Sequence, residues 1–384
     1  MKLQSYFFFI LFCFVITSCT KKENPEPIKV SGIHTGFTQV FGGNKTERII
    51  DILVADNQVL VLGFTESYGN GKSDVLLVSY SQWGNMQWYK TYGSQFIDEG
   101  TAICKTSDGN YLISGITANG TDYDGYAIKI NKTGDIVWEK IIDKGFDEKL
   151  FGVTEQSGAY YFAGLQDKGG NANLFLEKVG INGNEIWSKI YGGNLNDAGG
   201  NLIAASNGNL LTMGMTYSYG FGDRDVWMFE FNQNGDSVNS MPIGTSAYEQ
   251  PGNFIQANNG NYLISYHTAG IDPIHNLGAN SLNINLTTNW KVDTGTTVHE
   301  GGEDVCETEA GYVFAGNTGA FVSGENDIYL VYTDFNGVVT QTKTIALPGD
   351  QWLKGIAYHD GWIYLAASDN RKGNYDFLLM KMKP

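Results

Sequence analysis

The chain has 384 residues, among them 49 Gly, 22 Tyr, 21 Phe and 8 Trp, and a formal net charge of −16. So acidic a surface repels phosphate backbones, and no polybasic segment is present to dock on anionic lipid, which argues against nucleic acid as a partner. The length exceeds the usual single domain, except for chains that grow by adding repeated units rather than enlarging one core. Gly and Asn punctuation between aromatic and β-branched runs reads as all-β.

The first element is an address. Lys2 precedes an unbroken apolar run, Phe7 to Ile16, with the length of a signal-peptide core and too short to span a bilayer. It ends in Ile16-Thr17-Ser18-Cys19. This resembles the bacterial lipobox. The resemblance implies cleavage after residue 18, a diacylglyceryl group on the Cys19 thiol and acylation of the new N-terminus. Several acyl chains at ~0.8 kcal/mol per buried CH₂ anchor durably. Residues 1–18 are thus read as signal peptide and 19–36 as a lipidated tether, whose Thr20 to Pro27 segment is too polar and Pro-rich to pack. The charged stretch after Cys19 resembles export signals of Bacteroidetes lipoproteins. That implies an outer-membrane lipoprotein, on the cell surface or the periplasmic face, with the membrane as partner through its anchor.

Residues 37–384 carry a period of about fifty residues, with no further domain boundary. An apolar run ending in a small residue recurs, as in Val59-Leu60-Val61-Leu62-Gly63 and Tyr111-Leu112-Ile113-Ser114-Gly115. Its anchors are Gly63, Gly115, Gly164, Gly214, Ser265, Gly316 and Ala366. A second anchor is Trp88, Trp138, Trp187 and Trp290, with Phe37, Asn239 and Gln341 in the matching places. A third is Asp74, Asp124, Asn173, Asp225, Asn280, Asp327 and Asp376. Each unit holds four short strands separated by turns such as Asp108-Gly109-Asn110. A lone four-stranded sheet leaves a face bare, whereas sheets stacked radially bury both.

The expectation is therefore an all-β, seven-bladed β-propeller with four antiparallel strands per blade. The chain begins with a lone Trp-type strand (Phe37 to Phe41) and ends without one, so the N-terminal strand is expected to complete the last blade as its outermost strand. The repeats resemble the broad superfamily of kelch, bulb-lectin-like and quinoprotein-like propellers, and most of all the Gly- and Trp-rich propellers of Bacteroidetes lipoproteins. The resemblance implies fold, since propellers host enzymes, lectins and scaffolds alike. The propeller is expected to be monomeric.

In this phasing the strand after each Trp-type strand is innermost. Cys104 and Cys306 fall on innermost strands of blades 2 and 6, too far apart to bridge, and are read as buried free thiols. An acidic residue precedes each innermost strand: Glu47, Asp98, Glu148, Asp197, Glu249 and Glu300, with Gln351 in the seventh place. A carboxylate ring at the channel mouth is one reading. The favoured reading is a structural acceptor that holds loop N–H groups, because residues present in nearly every blade build the blade.

Function is expected where copies differ, on the face that carries the loops into the innermost strand and between the second and third strands. Its candidates are Tyr217, Tyr219, Phe221, Arg224, His267, His275, His299, Tyr68, Tyr123 and Tyr375. Exposed aromatics with Asn and Asp suit sugar rings or a protein hot spot, and equally suit loop-on-loop packing. His267, His275, His299 and Glu300 match no metal-ligand spacing, and Asp122-Tyr123-Asp124-Gly125 lacks the rest of an EF-hand loop. No metal or cofactor is inferred. No Gly-x-Ser-x-Gly, HExxH, CxxC or phosphate-binding loop is present, so catalysis is disfavoured. The leading expectation is a cell-envelope binding module for a glycan or an envelope protein. The alternatives are a hydrolase or lyase acting on polysaccharide, and a structural subunit of an outer-membrane assembly.

Overall fold

A computed structural model describes residues 35–384 except 119, 270–274, 297 and 321–324. Cys19, the signal peptide and nearly all of the tether lie outside the described residues.

The described residues form 28 strands in seven antiparallel four-stranded sheets. The innermost strands are Glu47–Ala55, Ile97–Lys105, Asp147–Gln156, Asp197–Ala204, Gln250–Gln256, His299–Glu307 and Gln351–His359. Residues of all seven line one central cavity. The second and third strands of each blade are almost wholly buried, so they read as continuous apolar runs such as Asp74–Ser81. The outermost strands alternate and face solvent, as Ile136–Ile142 does. The last sheet takes its three inner strands from residues 351–382 and its outer strand from Thr35–Phe41, which pairs with Asp376–Met382. The ring thus closes by the N-terminal strand. That strand begins two residues before the expected start at Phe37, because Thr35 opposite Met382 extends the ladder.

Three recurring devices explain why this sequence makes blades. Each innermost strand carries a β-bulge, for example between Ile49 and Asp51 or Gly302 and Asp304. Opposite it stands Gly63, Gly115, Gly164, Gly214 or Gly316, and a Cβ on Gly63, Gly164, Gly214 or Gly316 would collide with the carbonyl of Arg48, Lys149, Ala198 or Gly301. Register places Tyr266 and Ala367 at this position in blades 5 and 7, so the expected anchors Ser265 and Ala366 each sit one residue early. In blade 5 the glycine has moved to the next strand. Gly278 lies under the Tyr266 ring, whose hydroxyl reaches Asn280 (3.2 Å). The third anchor of that blade is Asn276, opposite Thr268, rather than Asn280.

The second device joins neighbouring blades at the rim. Trp88, Trp138, Trp187, Trp290 and Phe37 each lie against a turn glycine of the next blade: Gly134, Gly183, Gly235, Gly337 and Gly84. Blade 4 has Asn239 instead. The facing turn of blade 5 then carries Leu286, a buried non-glycine residue at φ 62°, which fills from the turn what a Trp fills from the strand.

The third device is the acidic position. Every one of Glu47, Asp98, Glu148, Asp197, Glu249 and Glu300 is buried, and each accepts the backbone N–H of the residue four before it: Gly43, Ser94, Lys144, Gly193, Thr245 and Thr296 (2.6–3.1 Å). Glu47, Asp197 and Glu300 also accept a Thr hydroxyl from the neighbouring strand, and Glu148 the Gln166 amide. The geometry is that of a loop cap, with no carboxylate ring open to solvent. In blade 7 the charge crosses the sheet: Gln351 donates to Asp369 (3.1 Å), which Arg371 also holds.

Candidate functional site

The central cavity has a volume of about 990 Å³. Its waist is formed by the residues three positions after each cap: Ile50, Thr101, Phe151, Gly200, Gly252, Glu303 and Lys354. Here the copies diverge, with only glycine occurring twice. Blades 1 to 3 supply apolar or small hydroxyl side chains and blades 6 and 7 an ion pair. In blades 4 and 5 the bulge takes two residues, Gly199-Gly200 and Gly252-Asn253, and brings no large side chain to that wall. Apolar groups of Leu53, Ile116, Val153, Met213 and Met215 complete the walls beside Asn201 and Gln250.

The charged groups of the waist are mostly committed. Asp51 accepts the N–H groups of Ile52 and, on the next blade, Ile103 (2.7 and 2.8 Å). Asp304 does the same for Val305 and Ile356 (both 2.8 Å). Burial still pushes their carboxyls up, to about 7 and about 8. The Asn201 amide donates to Asn253, extending this inter-blade stapling on the opposite side. Glu303 lies 2.7 Å from the Lys354 ammonium and 3.4 Å from His267 Nε2. Burial raises its pKa, yet Lys354 and His267 outweigh that and hold it at about 2.

Above the waist the mouth carries three cation–aromatic pairs. Arg48 lies 3.9 Å from the Tyr375 ring centre, Lys149 4.1 Å from Tyr123 and Arg224 3.9 Å from Tyr248. Arg224 also donates to the Glu249 carbonyl (3.1 Å) and to Gln250 (3.2 Å). His275 and His299 stack at 5.6 Å, with Tyr248 6.0 Å from His275.

The expected face residues therefore divide. Arg224 lines the cavity, His267 lies behind it against Glu303, Tyr123 and Tyr375 pack on Lys149 and Arg48, and His275 and His299 lie against each other. Tyr217, Tyr219 and Phe221 sit on the loop of blade 4, where Tyr219 packs on Trp227 (5.5 Å) and Phe221 is 65% exposed. Tyr68 is packed at the outer rim against Phe41 and Tyr89, its hydroxyl on the Gly42 carbonyl (2.8 Å), and burial pushes that hydroxyl up to about 12. It is a packing residue and is not part of the mouth. The three histidines do not share a ligand set with Glu300, whose carboxylate holds Thr296 and Thr318. Cys104 lines the cavity and is half-buried rather than buried, while Cys306 is buried; both are free. Burial pushes the Cys104 thiol up to about 12.

Sequence reading missed the whole waist, along with Gln250, Asn201 and Asn253. It also missed that Asp143 and Glu148 come within 4.8 Å of Asp124 at the junction of blades 2 and 3. Burial and these neighbours push Asp124 up to about 6.

Neither a protein-family model nor a curated protein matches the chain. Among solved structures it is similar to a polysaccharide lyase, PL25 ulvan lyase, at 13% identity over 90% of this chain and 95% of that one, with a TM-score of 0.58. It is also similar to Drosophila plexin A in complex with semaphorin 1b, at 9% identity over 92% and 88%, TM-score 0.55. A third likeness is to the β-propeller domain of the trilobed protease from Pyrococcus furiosus, at 10% identity over 88% and 98%, TM-score 0.51. That domain has an open velcro topology, whereas this ring is closed by Thr35–Phe41. At these identities the likenesses bear on fold, and with the observed sheets they establish a seven-bladed β-propeller.

Proposed function

We propose that the protein is a binding module of the bacterial cell envelope, held by acyl chains on Cys19, which seats a segment of glycan in its central cavity. The observation that carries this reading is the waist, where a repeat that is otherwise uniform carries six residue types in seven blades and opens about 990 Å³. Pockets of this size take ligands of one to a few rings. Apolar walls with the amides of Gln250, Asn201 and Asn253 and the guanidinium of Arg224 suit a sugar, which offers C–H faces and hydroxyls together. Glycan cleavage by paired carboxylates needs two that are available for acid and nucleophile or base. Of the three carboxylates that line the cavity, Asp51 is bound to backbone N–H groups and Glu303 to Lys354, which leaves Glu99 without a second available carboxylate and supports binding over hydrolysis. A polysaccharide-acting enzyme is the second reading, favoured by His267, which lies 3.4 Å from the cavity-lining Glu303.

The test is a glycan array probed with residues 20–384, which include all 28 described strands of the closed ring, as wild type and as Ile50→Trp. The reading expects one glycan class to be retained by the wild type, and an indole in the waist to abolish retention. Retention of no glycan, with co-purification of a single envelope protein, would sink it.

A further inference from the structure

A second site lies outside the channel, in the groove between blades 3 and 4. It is a pocket of about 350 Å³ lined by Ile190, Tyr191, Tyr219, Trp227, Phe229, Ser237 and Ser240.

The molecule contains its own control for this groove. The loop Thr65-Glu66-Ser67-Tyr68-Gly69-Asn70-Gly71 of blade 1 returns in blade 4 as Thr216-Tyr217-Ser218-Tyr219-Gly220-Phe221-Gly222. The two loops share pairs of hydrogen bonds. Thr65 and Thr216 hydroxyls accept the N–H of Tyr68 and Tyr219 (3.2 and 3.0 Å). Ser67 and Ser218 accept the N–H of Lys45 and Leu195 (2.9 and 3.0 Å). The preceding blade ends its outer strand in an aromatic residue in both cases, Phe41 and Tyr191.

The fillings differ. In blade 1 the Tyr89 ring sits between Phe41 (5.0 Å) and Tyr68 (5.4 Å) and closes the groove. Tyr89 pairs with Val78, and the matching pair in blade 4 is Ser240 with Phe229. Trp227 stands where blade 1 has Leu76 and takes part of the vacated space, its indole N–H on the Ser240 hydroxyl (2.7 Å). What stays open is about the place of a phenol ring, walled by Tyr191 against Phe229 (4.7 Å) and by Tyr219, which is 45% exposed.

We propose that this groove binds one uncharged pyranose ring of a glycan, independently of the channel. Aromatic faces stack on the C–H face of a sugar, the hydroxyls of Ser237 and Ser240 supply polar contacts, and no charged side chain lines the pocket to select an acidic or basic ligand.

The experiment is ligand-observed saturation-transfer NMR on residues 20–384 with mannotriose, xylotriose and cellotriose at up to about 10 mM. At least one trisaccharide receives saturation in the wild type. Tyr219→Ala, and separately the double variant Trp227→Leu with Ser240→Tyr that rebuilds the closed groove of blade 1, weaken it about tenfold or more. The same weakening is seen when the groove variants are made on Ile50→Trp, whose channel is blocked. No transfer to any of the three, transfer in the Ile50→Trp background that survives both groove variants, or complete loss with Ile50→Trp alone, overturns the proposal. The channel reading is judged separately by the glycan array.

Discussion

The cap positions and the positions three residues further along the same strands differ in what they allow. At the caps, six of seven blades keep a buried carboxylate on the same backbone N–H; in the seventh the charge crosses the sheet, and Gln351 donates instead to the Pro348 carbonyl and to Asp369. At the waist no residue type recurs except the two glycines of blades 4 and 5. A loop that must turn into every innermost strand imposes one solution six times and a close variant once. A side chain facing an open channel carries no such demand, so it is free to be shaped by a ligand.

The strongest break in the shell is at the closure. A chain beginning at residue 42 loses the ladder from Thr35–Phe41 and the packing of Phe37 and Phe41. It should lose about 5 kcal/mol or more and expose a sheet edge that aggregates, as urea unfolding and light scattering would register. Glu148→Ala strands the Lys144 N–H and the Gln166 amide, and is expected to cost about 2–4 kcal/mol in the same assay. Gln351→Glu restores the acid of the other blades, yet it sets a carboxylate against Asp369 and should destabilise by roughly 1–2 kcal/mol. Stabilisation by that change would contradict the charge exchange.

The waist gives the smaller effects. Burial raises Asp51 to about 7 and Asp304 to about 8, well above the unfolded value near 4. The stability they contribute is fully present below the unfolded value and is lost as pH rises through 7 to 8. The melting temperature is therefore expected to fall between about pH 4 and pH 8 and then to level off, and Asp304→Asn to flatten that slope. Ile50→Trp should move stability by less than about 1 kcal/mol, since the added ring enters an open cavity rather than a packed core.

The blades are legible because three anchors keep one beat, and those anchors are backbone requirements: a bulge that excludes a Cβ, a turn glycine under an indole, and a side chain such as Asp74 or Asp225 that accepts N–H groups of the loop before it. Legibility failed where a requirement was met differently. Tyr266 and Ala367 replace the glycine, so the apparent anchor slips by one residue, and the longer loop of blade 5 hides Asn276, which the ladder sets opposite Thr268. The aromatic loop residues were found by their variation, but Tyr68 turned out to be packed, and only the neighbouring strand reveals that Tyr89 fills its groove while Ser240 leaves the other open. The waist was invisible to composition. Counting three residues on from each cap would have exposed it, since Ile50, Thr101, Phe151, Gly200, Gly252, Glu303 and Lys354 share nothing but their place.

The most direct test of the division between shell and waist is the retained fraction on a glycan array for wild type, Ile50→Trp and Gln351→Glu, each first shown to be folded by its melting curve. The account predicts that Ile50→Trp keeps its fold and loses retention, while Gln351→Glu loses stability and keeps the same glycan preference. Undiminished retention by Ile50→Trp would contradict it.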